Sequence, residues 1–140
     1  MRFWDSSAIV PLIADETASR VLLDMLKGDG GLIAWWGTPV ECVSAVARRE
    51  RDGGLAAAEA NAMIARLRAL ATSWVEVGPT ARVRNLAQRL LRTHPLRASD
   101  SLQLAAALVA AEDEPGGLGF VCLDERLVIA ARREGFAVTP

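Results

Sequence analysis

Two rhythms of apolar residues alternate along this chain: short, wholly apolar runs, and longer stretches in which apolar positions return every three or four residues. The first kind suits buried parallel strands and the second suits helices packed on them. Arg2-Phe3-Trp4 reads as a strand that stops at Asp5 and turns at once into a helix, Ser7 to about Ala14. Pro11 fits only near that helix's first turn, where a missing N–H costs little. Thr17 is expected to cap a second helix, Ala18 to Lys27, with Val21, Leu22, Met25 and Leu26 on one face and Gly28-Asp29-Gly30-Gly31 as its stop. Leu32 to Trp35 is a second strand. Thr38-Pro39-Val40-Glu41 predicts a helix start with a capping Thr, Pro at the first position and Glu three residues after the Thr. That helix runs to about Arg51 with Val40, Val43 and Ala47 inward, and Leu55 to Thr72 returns beside it as a helical hairpin. Further on, Trp74 to Val77 reads as a strand, Thr80 to about Arg92 and about Ala98 to Ala111 as helices, and Glu114 to Gly119 as a turn. Gly119 to Leu123 is a fourth strand, Asp124 to Glu134 a helix, and Phe136 to Val138 a last short strand.

Strands alternating with helices predict an α/β fold, a parallel sheet covered on both sides, with right-handed crossovers bringing the carboxyl ends of the strands to one edge. No repeat, low-complexity tract or linker divides the chain, so residues 1–140 are expected to form one domain, burying roughly 70% of the surface the unfolded chain exposes.

Composition narrows the chemistry. With 51% hydrophobic and 24% charged residues the chain is expected to be a soluble globule, and no apolar run approaches membrane-spanning length. No basic leader with an apolar core opens it, so a cytoplasmic location is the expectation. A net charge of -1 excludes a strongly basic nucleic-acid binder, though clustered arginines, Arg48, Arg49 and Arg51 among them, leave phosphate contact open beside the simpler reading of solvated helix faces. Cys42 and Cys122 stand far apart in apolar contexts, as buried free thiols do. His94 is the single histidine and is expected at a helix end facing solvent. Zinc sites, Cys/His nucleophile pairs and Ser/His triads are thereby removed, for each needs ligands or a base this chain scarcely has.

What remains is carboxylates. Asp5 follows strand one, Glu41 lies in the first turn after strand two, and Asp124 follows strand four, all facing one edge. Each has an ordinary alternative: Asp5 and Asp124 as helix caps, Glu41 as half of a capping box. Several acids on one edge repel one another, and a hard divalent cation such as Mg²⁺ or Mn²⁺ would supply the counter-charge. Metal-dependent phosphodiester hydrolysis is the chemistry such a site performs. Asp100 sits in the first turn of a helix that follows no strand directly, so spacing alone does not place it beside the others, and it too has the ordinary reading of a cap or dipole-compensating residue.

Four segments, Trp4-Asp5-Ser6-Ser7-Ala8-Ile9-Val10, Thr38-Pro39-Val40-Glu41, Arg97-Ala98-Ser99-Asp100-Ser101-Leu102-Gln103-Leu104-Ala105 and Leu123-Asp124-Glu125-Arg126-Leu127, resemble in order and separation the acidic motifs of PIN-domain ribonucleases, most closely the VapC toxins of type II toxin–antitoxin pairs. The resemblance implies a three-layer α/β/α sandwich around a central parallel sheet and an acidic pocket holding Mg²⁺ or Mn²⁺. It implies Asp5, Glu41, Asp100 and Asp124 as catalytic, metal-binding carboxylates, Asp5 and Asp100 foremost, with Ser7 and Thr38 as supporting hydroxyls. It further implies endonucleolytic RNA cleavage, a small VapB-like antitoxin as partner, and a possible homodimer.

Two positions depart from the pattern. Cys122 stands where Thr or Ser is common, so a polar contact to the site is expected to be missing. Trp35 and Trp36 replace small or hydroxyl residues, either as packing at the end of strand two or as an exposed surface for stacking on a base or receiving a partner's side chain. One alternative is a PIN-like module that binds RNA or a partner with weak or lost catalysis. Another, a phosphoryl-receiving regulatory domain, needs a lysine near the last strand, yet Lys27 is the only lysine.

Overall fold

A computed structural model of the chain describes residues 1–14 and 19–140. Strands β1 (Arg2–Trp4), β2 (Leu32–Trp35), β3 (Val75–Val77), β4 (Gly119–Val121) and β5 (Ala137–Thr139) form one parallel sheet in the order β3-β2-β1-β4-β5. Helices α1 (Ser6–Ala14), α2 (Ser19–Asp29), α3 (Thr38–Arg51) and α4 (Ala57–Ala71) link the first three strands. Helices α5 (Ala81–Thr93), α6 (Ala98–Ala110) and α7 (Glu125–Arg133) link the last three.

Side chains leave a strand alternately to its two faces, so each wholly apolar strand feeds two cores. From β1, Phe3 enters a core with Val83, Leu90, Leu104 and Leu127, whereas Trp4 enters one with Ile9, Leu22, Cys42 and Leu67. Phe120 and Val121 of β4 divide the same way. Phe3 stacks on Phe120 at 5.4 Å, and Phe120 meets Phe136 at the same separation. The result is a three-layer α/β/α sandwich, with α1 to α4 on one face and α5 to α7 on the other.

Chain progression reverses between β1 and β4, because β2 and β3 extend the sheet on one side of β1 and β4 and β5 on the other. Such a reversal opens a crevice at the carboxyl ends of the two central strands. Asp5 lies there: its N–H donates to Val121 O at 3.0 Å, carrying the β1–β4 ladder one residue beyond the strand.

Several local expectations are corrected. Pro11 stands in the second turn of α1, not the first, so the Ser7 carbonyl lacks its usual donor four residues on. Gly37, not Thr38, is the residue before α3, and no side chain caps that helix. A Cβ at Gly37 would collide with the Trp35 indole, which explains glycine between the buried tryptophan and the helix. Val40 is 71% exposed; the inward face of α3 is Cys42 and Val46. The expected capping Thr17 and Ala18 at the start of the second helix lie outside the described residues. His94 is buried at the end of α5, where its Nε2 pairs with Glu134 Oε1 at 2.8 Å. Among the described residues no helix is long and apolar enough to cross a membrane.

Candidate active site

Four carboxylates from four parts of the chain line one cleft of about 380 Å³ at the carboxyl edge of the sheet. Asp5 reaches it from the end of β1, Glu41 from the first turn of α3, Asp124 from the loop after β4, and Asp100 from the first turn of α6. Asp100 is the acid that spacing left unplaced. It arrives because α6 packs under β2, so that its amino end opens beside the strand ends.

Three of these acids hold the ordinary structural jobs open to them at helix starts, and the fourth does not. Asp124 caps α7, accepting from the Leu127 N–H at 3.0 Å. Asp5 Oδ2 accepts from the Ser7 N–H at 3.0 Å and so caps α1, yet Asp5 is only 3% exposed. Asp100 accepts from the Arg97 N–H at 3.3 Å. Glu41, by contrast, takes no part in a capping box. Its Oε2 accepts from Gln103 Nε2 at 2.7 Å and its Oε1 from Ser6 Oγ at 3.4 Å. The same Gln103 amide donates to Thr38 Oγ1 at 3.1 Å, so the buried Thr38 hydroxyl supports the group that holds Glu41.

Burial and mutual repulsion raise the proton affinity of this cluster. Desolvation pushes the Asp5 carboxyl up, opposed by hydrogen bonds from Ser7 and reinforced by the charge of Asp100. Glu41 is pushed to about 7 by desolvation and by Asp5 and Asp100, against the pull of the Gln103 hydrogen bond. Asp100 is raised by desolvation, with Asp124 adding to it and the Arg97 N–H working against it. Three carboxylates held above their ordinary range in one cleft form an anionic site short of positive charge.

Cys122 is part of this site and does not leave the expected gap. Its Sγ lies 3.6 Å from Asp5 Oδ2, from Ser7 Oγ and from the Asp124 carbonyl, where the thiol offers one weak donor to these acceptors. The Ser7 hydroxyl in turn accepts from the Leu123 N–H at 2.9 Å, tying the start of α1 to the loop after β4. Arg49, one of the arginines for which phosphate contact was open, lines the cleft, whereas Gln103 and Ser6 were not singled out as site residues from sequence. Gln103 carried a readable sign: it is the lone amide in the apolar run Leu102 to Leu108, three residues after Asp100 and so on the same helix face.

Hard oxygen donors without imidazole or close-packed thiolate suit Mg²⁺ or Mn²⁺. Among the described residues, however, no three His, Cys, Asp or Glu side chains gather tightly enough to enclose a single ion. The oxygen-donor chemistry of the cleft suits such a cation, while its geometry does not enclose one.

No protein-family model and no curated protein matches the chain. Among solved structures, the crystal structure of FitAcB from Neisseria gonorrhoeae is similar, with a TM-score of 0.66 at 16% identity over 100% of this chain and 97% of that one. The likeness establishes the PIN-like three-layer fold. It also overturns the narrower placement among VapC toxins, which no family model supports and in whose stead the solved likeness is to FitAcB.

Proposed function

We propose that the protein is a metal-dependent endoribonuclease, the toxin member of a toxin–antitoxin pair, restrained by a small antitoxin protein. The observation that carries the enzymatic reading is the convergence of Asp5, Glu41, Asp100 and Asp124 on one cleft at the sheet's crossover point. The four-segment resemblance to PIN-domain ribonucleases and the likeness to FitAcB support the toxin–antitoxin setting.

Asp5 and Asp100 are the direct ligands in this reading, and Glu41 and Asp124 complete the site directly or through water. A bound Mg²⁺ or Mn²⁺ would supply positive charge to polarise a phosphodiester and acidify water. Glu41, where it reaches the metal through water, would take the proton of the attacking water, while Gln103 and Ser6 hold its carboxylate in position. Arg49 lines the same cleft. Purified protein is expected to cut RNA with Mg²⁺ or Mn²⁺ and to stop on addition of EDTA. Folded protein that binds RNA without cutting it at any divalent-ion concentration would replace this reading by that of a binding module.

A further inference from the structure

Helix α3 presents two parallel stripes of residues at four-residue spacing, and they line two adjoining clefts. Glu41, Ala45 and Arg49 face the acidic cleft. Val40, Ser44 and Arg48 face a second one of about 310 Å³, which shares Ser6, Glu41 and Ala45 with the first. Helix α6 repeats the division in its first turn, where Asp100 lines the acidic cleft and its neighbour Ser99 the second. The two clefts therefore adjoin, with Glu41 in the lining of both.

Their chemistry differs. The second cleft offers the hydroxyls of Ser6, Ser44 and Ser99, an exposed guanidinium and one exposed apolar side chain, Val40. The Arg48 side chain makes no hydrogen bond or ion pair among the described residues. A cationic fork, donor hydroxyls and a small apolar contact match the phosphate, sugar and base of a nucleotide in turn. The interface of a second copy of the chain would be expected to centre on apolar side chains instead.

We propose that this second cleft is a nucleotide subsite: it holds the residue of a single-stranded RNA adjoining the scissile phosphate, with the next phosphate on Arg48 and the base against Val40. This rests on the nuclease reading of the acidic cleft. A free backbone is required, because the strand must pass from one cleft to the other over Glu41, which a duplex would not allow.

The test compares Arg48→Glu with the wild-type chain. Anisotropy of a labelled single-stranded oligoribonucleotide in EDTA reads binding apart from cleavage, and the expected result is a Kd at least tenfold weaker, with the slope of log Kd against log salt reduced by about one. With Mg²⁺, KM for the same oligonucleotide rises tenfold or more with kcat within threefold. Wild-type cleavage with unaltered Kd and KM in Arg48→Glu would overturn the subsite and leave the nuclease standing. Arg48-dependent binding by a protein that cuts nothing would support the subsite and overturn the nuclease. A dimer that Val40→Asp converts to monomer, with RNA binding retained, would assign the face to a second copy and overturn the proposal.

Discussion

The side-chain amide of Gln103, on α6, donates to the Glu41 carboxylate of α3 at 2.7 Å, and this bond joins the two helices whose first turns carry Asp100 and Glu41. Its second donation, to Thr38, fixes the amide from the other side. Gln103→Leu removes both bonds but also removes Oε1, a buried oxygen with no partner, so the net loss of stability is expected to be modest, about 1 kcal/mol. Cleavage should fall roughly tenfold, as it does when a ligand's support is lost. Because the amide lowers the proton affinity of Glu41, the acid limb of the pH–rate profile should move upward in the variant. A variant that loses activity with no movement of that limb would show that Gln103 acts through packing alone.

The acidic cleft makes metal-free protein pH-sensitive in a defined direction. Glu41 is raised from 4.5 to about 7, so its neutral form is favoured in the fold, and its contribution is full below the unfolded value and lost as pH climbs through the folded one. Asp5 and Asp100 are raised too and add the same sign. Melting temperature in EDTA is expected to drop between about pH 4.5 and pH 7, Glu41 alone supplying on the order of 2 kcal/mol. Mg²⁺ should restore it at the upper end, and Glu41→Gln should flatten the curve. Stability that rises through this window in EDTA would contradict the electrostatics of the site.

Cys122 and Cys42 are both buried, and burial pushes both thiols up, Cys42 to about 12. A thiol-specific reagent at pH 8 is accordingly expected to label neither until the protein is denatured. Cys122→Ser should keep the fold and hold cleavage within about threefold, since a hydroxyl donates to Asp5 at least as well as the thiol does.

Trp35 and Trp36 are neighbours with opposite fates. Trp35 is buried in the core at the end of β2, while Trp36 is 54% exposed, their rings meeting edge-on at 6.3 Å. Trp35→Ala should cost about 3–5 kcal/mol in urea unfolding, as large core truncations do. Trp36→Ala should cost less than about 1 kcal/mol.

The strands were legible because wholly apolar runs such as Leu32 to Trp35 satisfy two cores at once, and few other structures use such a run so short. Asp5, Glu41 and Asp124 were legible because each follows a strand, and strand ends share an edge in a parallel sheet. Asp100 was not legible from spacing, since its place depends on how α5 and α6 pack beneath β2 and β3. Thr38 and Val40 misled for one reason: the start signal Thr-Pro-x-Glu fits a capped helix, but the packing of Trp35 over Gly37 moves the helix boundary and frees Thr38 and Glu41 to meet Gln103. His94 misled because a histidine before proline suits an exposed helix end, whereas Glu134, forty residues later, draws it inward.

The central claim is that four carboxylates act as one metal-charged hydrolytic site, and Asp5→Asn and Asp100→Asn test it most directly. Each variant keeps the volume of its side chain and its capacity to accept the bond from Ser7 or Arg97. Single-turnover cleavage of a labelled RNA with Mg²⁺ or Mn²⁺, beside thermal melts of the same samples, is the measurement. The account predicts at least a hundredfold loss of cleavage in both variants, with melting temperatures in EDTA equal to or above that of the wild-type chain, because a repelling charge has been removed. Cleavage within a fewfold of wild type in either folded variant would contradict it.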